Sequence, residues 1–450
     1  MEIVIVADNE AEYVKLSVKS IRMFADIEEL SVIVVDNGSK DGLGEWARTQ
    51  ADITYVYMDE GRMPYGRAVN QVREALRLQG DMLLMRACFM MTPHCLFSML
   101  QTLHENADTG AVGPVSNGLA HSQKKEGFAD YEEAVKGIQC FEGRPGKKVA
   151  GLYHGAVLFR QEALEQVGAF DEELLSEAYV IRDYCFRMIE GGWRLKVSSG
   201  SFLWSLRGME QENRNAFEEG ILKKKWGMHY FHTKPNERVV EMLQEDTKKA
   251  IQVLEIGCDC GATLLEVQNR YPNAVTYGTE INVKAARIAS RFSKVIVNNI
   301  EEENLPYEAA VFDYIIFGDV LEHLHDPLRT IRYCRRFLKS GGCIIASIPN
   351  VMHISVMQKL LNGDFTYTDD GLLDKTHIHL FTLNEIVKMF QAGGYAIREM
   401  EAIGLPVSDA QNEVIDKLLR CGGKAGRQMY EAFQYVVCAQ KEEQEDMQNV

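Results

Sequence analysis

Residues 253–261, Val-Leu-Glu-Ile-Gly-Cys-Asp-Cys-Gly, decide the fold of the second half of the chain. A strand-like apolar run reaches an acidic residue, Glu255, and then enters a turn that contains Gly257 and Gly261. Glycine is required where the backbone turns tightly or approaches a ligand, because a Cβ would clash there. The next residues, 262–269, predict a helix whose free N–H groups would face that ligand. The pattern therefore predicts a binding site for a nucleoside-containing cofactor.

Two carboxylates narrow the identity of this cofactor. Residues 277–280, Tyr-Gly-Thr-Glu, end one strand further on in Glu280, which is well placed to hold a ribose diol. Glu255 lies two residues before Gly257, where it could meet the ammonium group of a bound amino acid. Dinucleotide-binding turns also lie between a strand and a helix, but a nicotinamide site has no use for that carboxylate. The details favour S-adenosylmethionine.

A longer segment carries a family resemblance. Residues 312–327, Phe-Asp-Tyr-Ile-Ile-Phe-Gly-Asp-Val-Leu-Glu-His-Leu-His-Asp-Pro, strongly resemble the fourth-strand motif of class I S-adenosylmethionine-dependent methyltransferases. A bacterial branch of that family, often found beside glycosyltransferases, is similar at residues 347–350, 363–367, 373–377 and 380–382. The resemblance covers roughly residues 235–440 and implies an α/β domain with the Rossmann-like class I methyltransferase fold.

The resemblance also implies S-adenosyl-L-methionine as cofactor and assigns its binding residues. They are Glu255, Gly257 and Gly261 for the methionine part and ribose, Glu280 for the ribose hydroxyls, Asn299 for adenine, and Asp319 beside the methionine. One position departs from the family, because the middle glycine of the usual turn is Asp259 here. Aspartate tolerates left-handed backbone better than most residues, but its charge beside the cofactor carboxylate could weaken binding.

Methyl transfer from a sulfonium requires in-line positioning and removal of the acceptor's proton. His323 is the nearest candidate base, with His353 and His377 as alternatives. Each histidine could equally make a structural hydrogen bond at a helix start or in a loop. Glu322, next to His323, could equally cap a helix.

The first half of the chain shows its own strand and turn motif. Continuous apolar runs, such as that beginning at Ser31, are typical of parallel strands buried on both faces. Residues 34–42, Val-Val-Asp-Asn-Gly-Ser-Lys-Asp-Gly, strongly resemble the second-strand motif of family-2 nucleotide-sugar glycosyltransferases with the A-type fold. Further matches lie at residues 9–10, 66–70, 168–172, 183–187 and 191–195. The resemblance implies an A-type nucleotide-binding fold whose nucleotide-sugar pocket is formed by Asn9, Glu10, Asp36, Asn70 and Asp183.

The catalytic positions of that family are missing. Active members hold Mg²⁺ or Mn²⁺ on the diphosphate with carboxylates after the next strand. Here no acidic residue occurs between Asp81 and Glu105. The family's base motif reads Val-Ile-Arg-Asp at residues 180–183, and residues 202–206, where a metal-binding histidine is expected, contain none. We therefore predict a catalytically degenerate domain without a divalent metal, and no metal-ligating residues are assigned anywhere in the chain.

An alternative keeps this domain active. Arg86 could neutralise the diphosphate without a metal, and Glu177 could supply the base. Nucleotide-sugar turnover that is lost on Asp36→Ala would favour this alternative.

Composition excludes several classes of protein. The 450 residues, 46% apolar and 25% charged, are ordinary for a globular protein, and the formal charge of −16 argues against nucleic-acid binding. No apolar run approaches the roughly 20 residues of a membrane span. The start of the chain lacks the basic region of a signal peptide, and ten cysteines without regular spacing suggest reduced thiols, so we expect a cytoplasmic protein.

The expected organisation is a glycosyltransferase-like domain at 1–228, a linker with one helix at 229–249, a methyltransferase domain at 250–440 and a polar tail at 441–450. The leading hypothesis is O-methylation of a sugar or glycan intermediate, with the first domain binding the acceptor or a nucleotide-sugar. One alternative is a bifunctional enzyme that transfers a sugar and methylates it in surface-glycan biosynthesis. Another is a non-catalytic glycan-binding scaffold in which both sites are degenerate.

Overall fold

The computed structural model describes residues 1–25, 27, 29–59, 61–120, 123–125, 127–138, 145–208, 215–227, 233–421 and 423–442. The chain divides into two compact units, Met1–Lys234 and Pro235–Val450. Each unit is built around one mixed β-sheet with helices. The predicted α/β class of both halves is confirmed.

The strands of the first unit form one sheet in the order β3-β2-β1-β4-β8-β6-β9-β5, with β7 paired to β9. They are β1 (Glu2–Ala7), β2 (Ser31–Asp36), β3 (Ile53–Tyr57), β4 (Met82–Met85), β5 (Phe89–Met91), β6 (Thr109–Ser116), β7 (Lys147–Val149), β8 (Ala156–Phe159) and β9 (Arg194–Ser205). The helices are α1 (Ala11–Phe24), α2 (Leu43–Ala47), α3 (Tyr65–Ala75), α4 (Cys95–His104), α5 (Tyr131–Gly137), α6 (Gln161–Val167), α7 (Glu177–Glu190) and α8 (Ala216–Trp226).

The apolar runs that open this unit pair as parallel neighbours. β1 and β2 lie in register from Glu2 opposite Ser31 to Ala7 opposite Asp36. Because parallel strands end at the same edge of a sheet, this register brings the turn after β1 next to the turn after β2. α1 buries four apolar residues of one face in the core: Ala11, Val14, Val18 and Ile21.

The second unit has a seven-stranded sheet in the order β12-β11-β10-β13-β14-β16-β15. Its strands are β10 (Gln252–Ile256), β11 (Val275–Glu280), β12 (Lys294–Val297), β13 (Phe312–Gly318), β14 (Leu338–Pro349), β15 (Tyr395–Gly404) and β16 (Ala432–Lys441). Its helices are α9 (Glu237–Glu241), α10 (Ala262–Arg270), α11 (Val283–Ala289), α12 (Pro327–Cys334), α13 (Ile354–Leu361), α14 (Leu383–Ala392), α15 (Asp409–Arg420) and α16 (Arg427–Glu431).

The strand order of this sheet reverses between β10 and β13. From β10 the chain builds outward to β12 on one side and then continues with β13 and β14 on the other. Ile256 of β10 lies opposite both Thr279 of β11 and Phe317 of β13, so the three strands end together. A crevice opens at such a reversal outside the carboxyl ends of the strands, where open α/β sheets bind ligands.

The second part of the predicted linker packs into the second unit. α9 is the one helix expected there, and Val239, Val240 and Leu243 are buried against the apolar side of β10. This apolar run needs a core to cover it, which explains why residues 235–249 are not a free connection. Residues 228–232, at the predicted domain boundary, and residues 443–450 of the predicted tail lie outside the described residues. The exact domain limits stay a prediction.

None of the helices within the described ranges has the length and apolar character needed to cross a lipid bilayer.

Candidate functional site

The turn after β10 has the backbone that its glycines predict. Gly257 and Gly261 have φ of 69° and 78°, in the left-handed region that favours glycine. A Cβ on Gly257 would lie 2.8 Å from Val320 Cγ2, and one on Gly261 would lie 2.6 Å from the ring of Phe292. The backbone N–H of Gly257 donates to the Thr279 carbonyl at 2.8 Å, which ties the turn to β11. A side chain at either glycine would strain this backbone and would require the neighbouring side chain, Val320 or Phe292, or the turn itself to shift.

Glu280 holds this turn from the end of β11. One carboxylate oxygen accepts a hydrogen bond from the Asp259 N–H at 2.8 Å, and the other accepts from the Asn282 N–H at 2.8 Å. The side chain is largely buried, and this burial raises the pKa of Glu280, with the negative charge of Asp259 adding to the effect. Each oxygen keeps a further lone pair, so the carboxylate could accept two hydroxyl groups of a ribose.

Glu255 is a buried carboxylate with incomplete partners. It is 4% exposed, and its Oε2 atom has no hydrogen-bond partner among the described residues. Burial raises the pKa of Glu255 well above its usual range, although a hydrogen bond with Thr263 opposes this. An uncompensated buried carboxylate is costly, and an ammonium group at this position would compensate it. The Glu255 carboxylate therefore fits the ammonium group at the amino-acid end of S-adenosylmethionine.

Asp319 at the end of β13 is held by residues that the sequence analysis missed. Its backbone has φ of 54°, and its N–H donates to Ser347 Oγ at 2.9 Å. Asn236 Nδ2 donates to the same Oγ at 3.0 Å and lies 3.5 Å from Asp319 Oδ2. Asn236 also caps α9 through the Val239 N–H, and an asparagine before an apolar run is the signal that could have found it.

The end of β12 presents two asparagines. Asn299 Oδ1 accepts a hydrogen bond from the Glu301 N–H at 3.2 Å, so this side chain stabilises the following turn. Asn298 is buried, and its Nδ2 donates to Glu303 Oε2 at 3.2 Å. The contact of Asn299 with adenine stays a prediction, and Asn298 is a second polar group at the same strand end.

Asp259 has left-handed backbone and replaces the middle glycine of the family's turn, and a substitution can test the effect of its charge on cofactor binding. Asp259→Asn keeps a side chain that tolerates this backbone but removes a charge near Glu280 and Glu255. We expect S-adenosylmethionine to bind about fivefold more tightly to this variant. The substitution removes the repulsion between the Asp259 carboxylate and the carboxylate of the cofactor, which is worth about 1 kcal/mol at a half-buried site. Titration calorimetry measures this change. Weaker binding by the asparagine variant would show instead that the Asp259 carboxylate contacts the ligand favourably.

His323 lies directly beyond Asp319, in a short 3₁₀ turn formed by Leu321–His323. Its Nδ1 atom lies 3.1 Å from the Thr376 carbonyl oxygen, and its ring lies 4.8 Å from that of His377. Two of the three predicted candidate bases, His323 and His377, therefore meet. Neighbouring Glu322 is buried, and burial together with the nearby Asp319 charge raises its pKa well above its usual range.

The third candidate base, His353, has a structural role. It precedes α13, and its Nδ1 atom accepts from the Ser355 N–H at 3.3 Å and lies 2.8 Å from Ser355 Oγ. Its ring is buried and packs edge-on against Phe433. His353 therefore agrees with the alternative that a candidate base is instead a histidine at a helix start that makes a structural hydrogen bond. The capping alternative for Glu322 has no such support, since no side-chain cap is formed at the 3₁₀ turn.

In the first unit, Asp36 and Asn9 lie at the adjoining ends of β2 and β1. Asp36 accepts hydrogen bonds from the Ser39 N–H and from the Tyr55 hydroxyl, both at 2.7 Å. Asn9 has φ of 56°, and its Oδ1 accepts from the Lys40 N–H at 2.9 Å. The following residue, Glu10, forms an ion pair of 2.9 Å with Arg207. The three residues lie at the strand ends, and their contact with a nucleotide stays a prediction.

Two other predicted pocket residues make structural contacts instead. Asp183 is fully buried, and its carboxylate contacts Arg187 Nε at 2.8 Å, Lys225 Nζ at 2.7 Å and Trp226 Nε1 at 3.0 Å. These three donors join α7 to α8 and leave the carboxylate inaccessible to a ligand. The contacts give Asp183 a structural role, and its predicted place in the nucleotide-sugar pocket stays untested.

Asn70 likewise connects two segments of the fold. Its Nδ2 donates to the Phe170 carbonyl at 2.9 Å and its Oδ1 accepts from the Phe170 N–H at 2.9 Å. Nδ2 also lies 2.9 Å from Glu172 Oε1. A side-chain amide that pairs in both directions with one backbone residue fixes the loop at Phe170, and the contact of Asn70 with a nucleotide-sugar stays a prediction.

Arg86 and Glu177, the residues of the active alternative, pair with each other. Arg86 Nε lies 3.5 Å from Glu177 Oε2, and both side chains are mostly buried. The other Glu177 oxygen accepts from the Gly155 N–H at 2.9 Å. The guanidinium group of Arg86 therefore lies at the end of β4, the position at which the glycosyltransferase family places its metal-binding carboxylates.

Comparison with known proteins identifies both halves. Residues 2–168 match the family model described as glycosyl transferase family 2, and residues 228–400 match a methyltransferase domain. A probable S-adenosylmethionine-dependent methyltransferase of Mycobacterium tuberculosis is 35% identical over 103 residues, which cover 22% of this chain and 36% of the relative. The chain thus spans about a third of that relative's length.

Two further similarities concern the second half. A ubiquinone biosynthesis O-methyltransferase of Coxiella burnetii is 26% identical over 178 residues, 38% of this chain and 73% of the relative. The crystal structure of an S-adenosylmethionine-dependent methyltransferase from Archaeoglobus fulgidus is 17% identical. The match covers 49% of this chain and 99% of the Archaeoglobus fulgidus chain, with a TM-score of 0.34.

Proposed function

The chain joins a glycosyl transferase family 2 domain to a methyltransferase domain of the class I fold, and we propose that it uses S-adenosylmethionine to O-methylate a sugar or glycan intermediate. The sugar acceptor is suggested by the glycosyltransferase-like half. Oxygen as the methylated atom is suggested by the relative named as an O-methyltransferase. We also propose a cytoplasmic location, for which the nine free cysteines of the described residues are the support.

The strongest support for cofactor binding is the unpartnered oxygen of buried Glu255 at the sheet edge where Glu280 holds the glycine turn. Glu255 would bind the cofactor's ammonium group, and Glu280 would accept its ribose hydroxyls. Gly257 and Gly261 leave the room for close approach to the backbone. When bound, S-adenosylmethionine supplies an electrophilic methyl group on a sulfonium.

Proton removal from the acceptor would take place beside Asp319. His323 is four residues further along, and its Nδ1–H can donate to the Thr376 carbonyl at 3.1 Å. A carbonyl oxygen only accepts, so the neutral ring keeps its lone pair on Nε2. This tautomer lets His323 receive a proton at Nε2.

The first unit would contribute binding rather than chemistry. Asp36 and Asn9 remain candidates for contact with a nucleotide or a sugar acceptor. Arg86 and Glu177 neutralise each other where active relatives would hold a metal. A second candidate function, sugar transfer without a metal, would require this ion pair to open so that Arg86 can reach a diphosphate.

Titration of the purified full-length chain with S-adenosylmethionine tests the leading proposal. We expect one site with a micromolar dissociation constant, no competition by NADH, and transfer of labelled methyl to members of a sugar and glycan panel. Absence of binding at millimolar ligand would remove the methyltransferase proposal and leave the scaffold alternative. Turnover of nucleotide-sugars in the presence of a chelator would favour the second candidate.

A further inference from the structure

Three metal-ligating side chains from two distant segments meet in the second unit. Glu322 and His323 lie in the 3₁₀ turn after β13, and His377 lies in the loop that precedes α14. One ligand atom from each of the three lies within 4.8 Å of the other two. We propose that this cluster binds a divalent transition-metal cation, to which a hydroxyl group of the methyl acceptor coordinates.

In both imidazole rings, one nitrogen contacts a backbone carbonyl oxygen. His323 Nδ1 lies 3.1 Å from the Thr376 carbonyl oxygen, and His377 Nδ1 lies 3.3 Å from the Leu372 carbonyl oxygen. Because a carbonyl can only accept, Nδ1 carries the proton in each neutral ring and Nε2 keeps its lone pair. A backbone carbonyl on the second nitrogen is the usual outer contact of a metal-bound histidine.

Glu322 supplies the negative charge that such a site needs. It is 1% exposed, and its Oε2 atom lacks a hydrogen-bond partner in the part of the chain that the structure describes. Its backbone carbonyl accepts from the N–H groups of Ile378 and His379 at 2.9 and 3.0 Å, which fixes the residue against the His377 loop. A carboxylate buried without a full set of partners is costly, and a bound cation would remove that cost.

The ligand set indicates the class of cation. Two imidazoles and one carboxylate suit Zn²⁺ and other first-row divalent ions, whereas Mg²⁺ and Ca²⁺ prefer oxygen ligands alone. Three protein ligands leave a coordination position open for a water or an acceptor oxygen. Asp319 and Asp374 add two negative charges that act on Glu322, which favours a divalent cation further.

The chemical role of the cation rests on the proposed methyltransferase function. A free histidine has a pKa of about 6.5, far below that of a sugar hydroxyl, so it is a weak base for this proton. A cation lowers the pKa of the oxygen that it binds. The O–H bond of the acceptor would break, its proton would pass to water, and the oxygen would keep the electron pair. His323 would then act as a ligand in place of its role as base.

Metal titration of the untagged, chelator-treated full chain tests the site. Calorimetry with Zn²⁺ and elemental analysis are expected to give one bound ion per chain. We expect His323→Ala and His377→Ala each to weaken Zn²⁺ binding by about 100-fold, and Glu322→Gln by about 10-fold or more. The matched control is His325→Ala, because His325 is exposed in the same segment and contacts Glu301 instead of the cluster. Its affinity for Zn²⁺ should equal that of the parent chain.

Folding and cofactor binding are measured on the same variants, by circular dichroism and by titration with S-adenosylmethionine. Absence of Zn²⁺ binding by the parent chain, or equal Zn²⁺ binding by the folded cluster variants, would overturn the site. Methyl transfer that continues at full rate in the metal-free protein would overturn the catalytic role and leave the proposed function standing. If the parent chain binds Zn²⁺ at this site but does not bind S-adenosylmethionine, the proposed function is overturned and the metal site stands.

Discussion

Glu280→Ala is expected to weaken S-adenosylmethionine binding by about 100-fold. The carboxylate would accept two ribose hydroxyls, and a hydrogen bond to a charged group contributes about 1.5 kcal/mol or more. Two such bonds give about 3 kcal/mol, which is a factor of about 100 in the dissociation constant. The same carboxylate holds the turn at the Asp259 N–H, so the substitution also loosens the backbone that faces the cofactor.

Titration calorimetry at several ligand concentrations measures this loss, and circular dichroism verifies that the variant is folded. Glu308→Ala is the matched control, since Glu308 is an exposed glutamate of the same unit outside the cofactor turn. We expect its affinity to be unchanged. An alanine variant at position 280 that binds within about threefold of the parent chain would show that Glu280 only supports the turn.

The turn after β10, residues 257–261, was predictable because the residues that determine it are close together in the sequence. Gly257 and Gly261 predict left-handed backbone, which the structure has at both positions. The acidic residues at the strand ends predict polar contacts at one edge of the sheet. Parallel pairing in register then brings Glu255 and Glu280 together without further information. The fold class follows from the same local patterns, since continuous apolar runs alternate with helical segments in both halves.

The rest of the site depends on packing between distant segments. His377 meets His323 only because backbone hydrogen bonds attach the loop before α14 to the turn after β13. Asn236 reaches Ser347 from a segment that was predicted as a linker. No periodicity links these positions, and this is why the sequence analysis assigned no metal-ligating residue and treated the histidines as separate candidate bases.

Asp183 was assigned to the nucleotide-sugar pocket from its motif position, whereas its contacts in the structure are internal to the fold. Its spacing to Arg187 places the two side chains on one face of a helix, which also predicts an ion pair. The structure has this pair, at 2.8 Å, together with contacts to Lys225 and Trp226. A charged residue within a largely buried helix more often needs a partner inside the fold than a ligand outside it.

Asp183→Ala is therefore expected to destabilise the first unit by about 3 kcal/mol. Removing one member of a buried ion pair leaves its partners uncompensated, which typically costs about 3–5 kcal/mol. The lower end applies here, because Arg187 and Lys225 retain some contact with water. The Trp226 indole N–H also loses its acceptor, which adds to the loss.

Urea unfolding followed by tryptophan fluorescence measures this loss in the first unit alone, since all four tryptophans, Trp46, Trp193, Trp204 and Trp226, lie within residues 1–234. Asp108→Ala is the control: its ion pair with Arg194 is about half exposed and should contribute less than about 1 kcal/mol. If Asp183 served a ligand pocket, its removal would leave the unfolding midpoint near that of the control and would weaken nucleotide-sugar binding instead. A lower midpoint with unchanged ligand affinity would establish that this carboxylate stabilises the junction of α7 and α8.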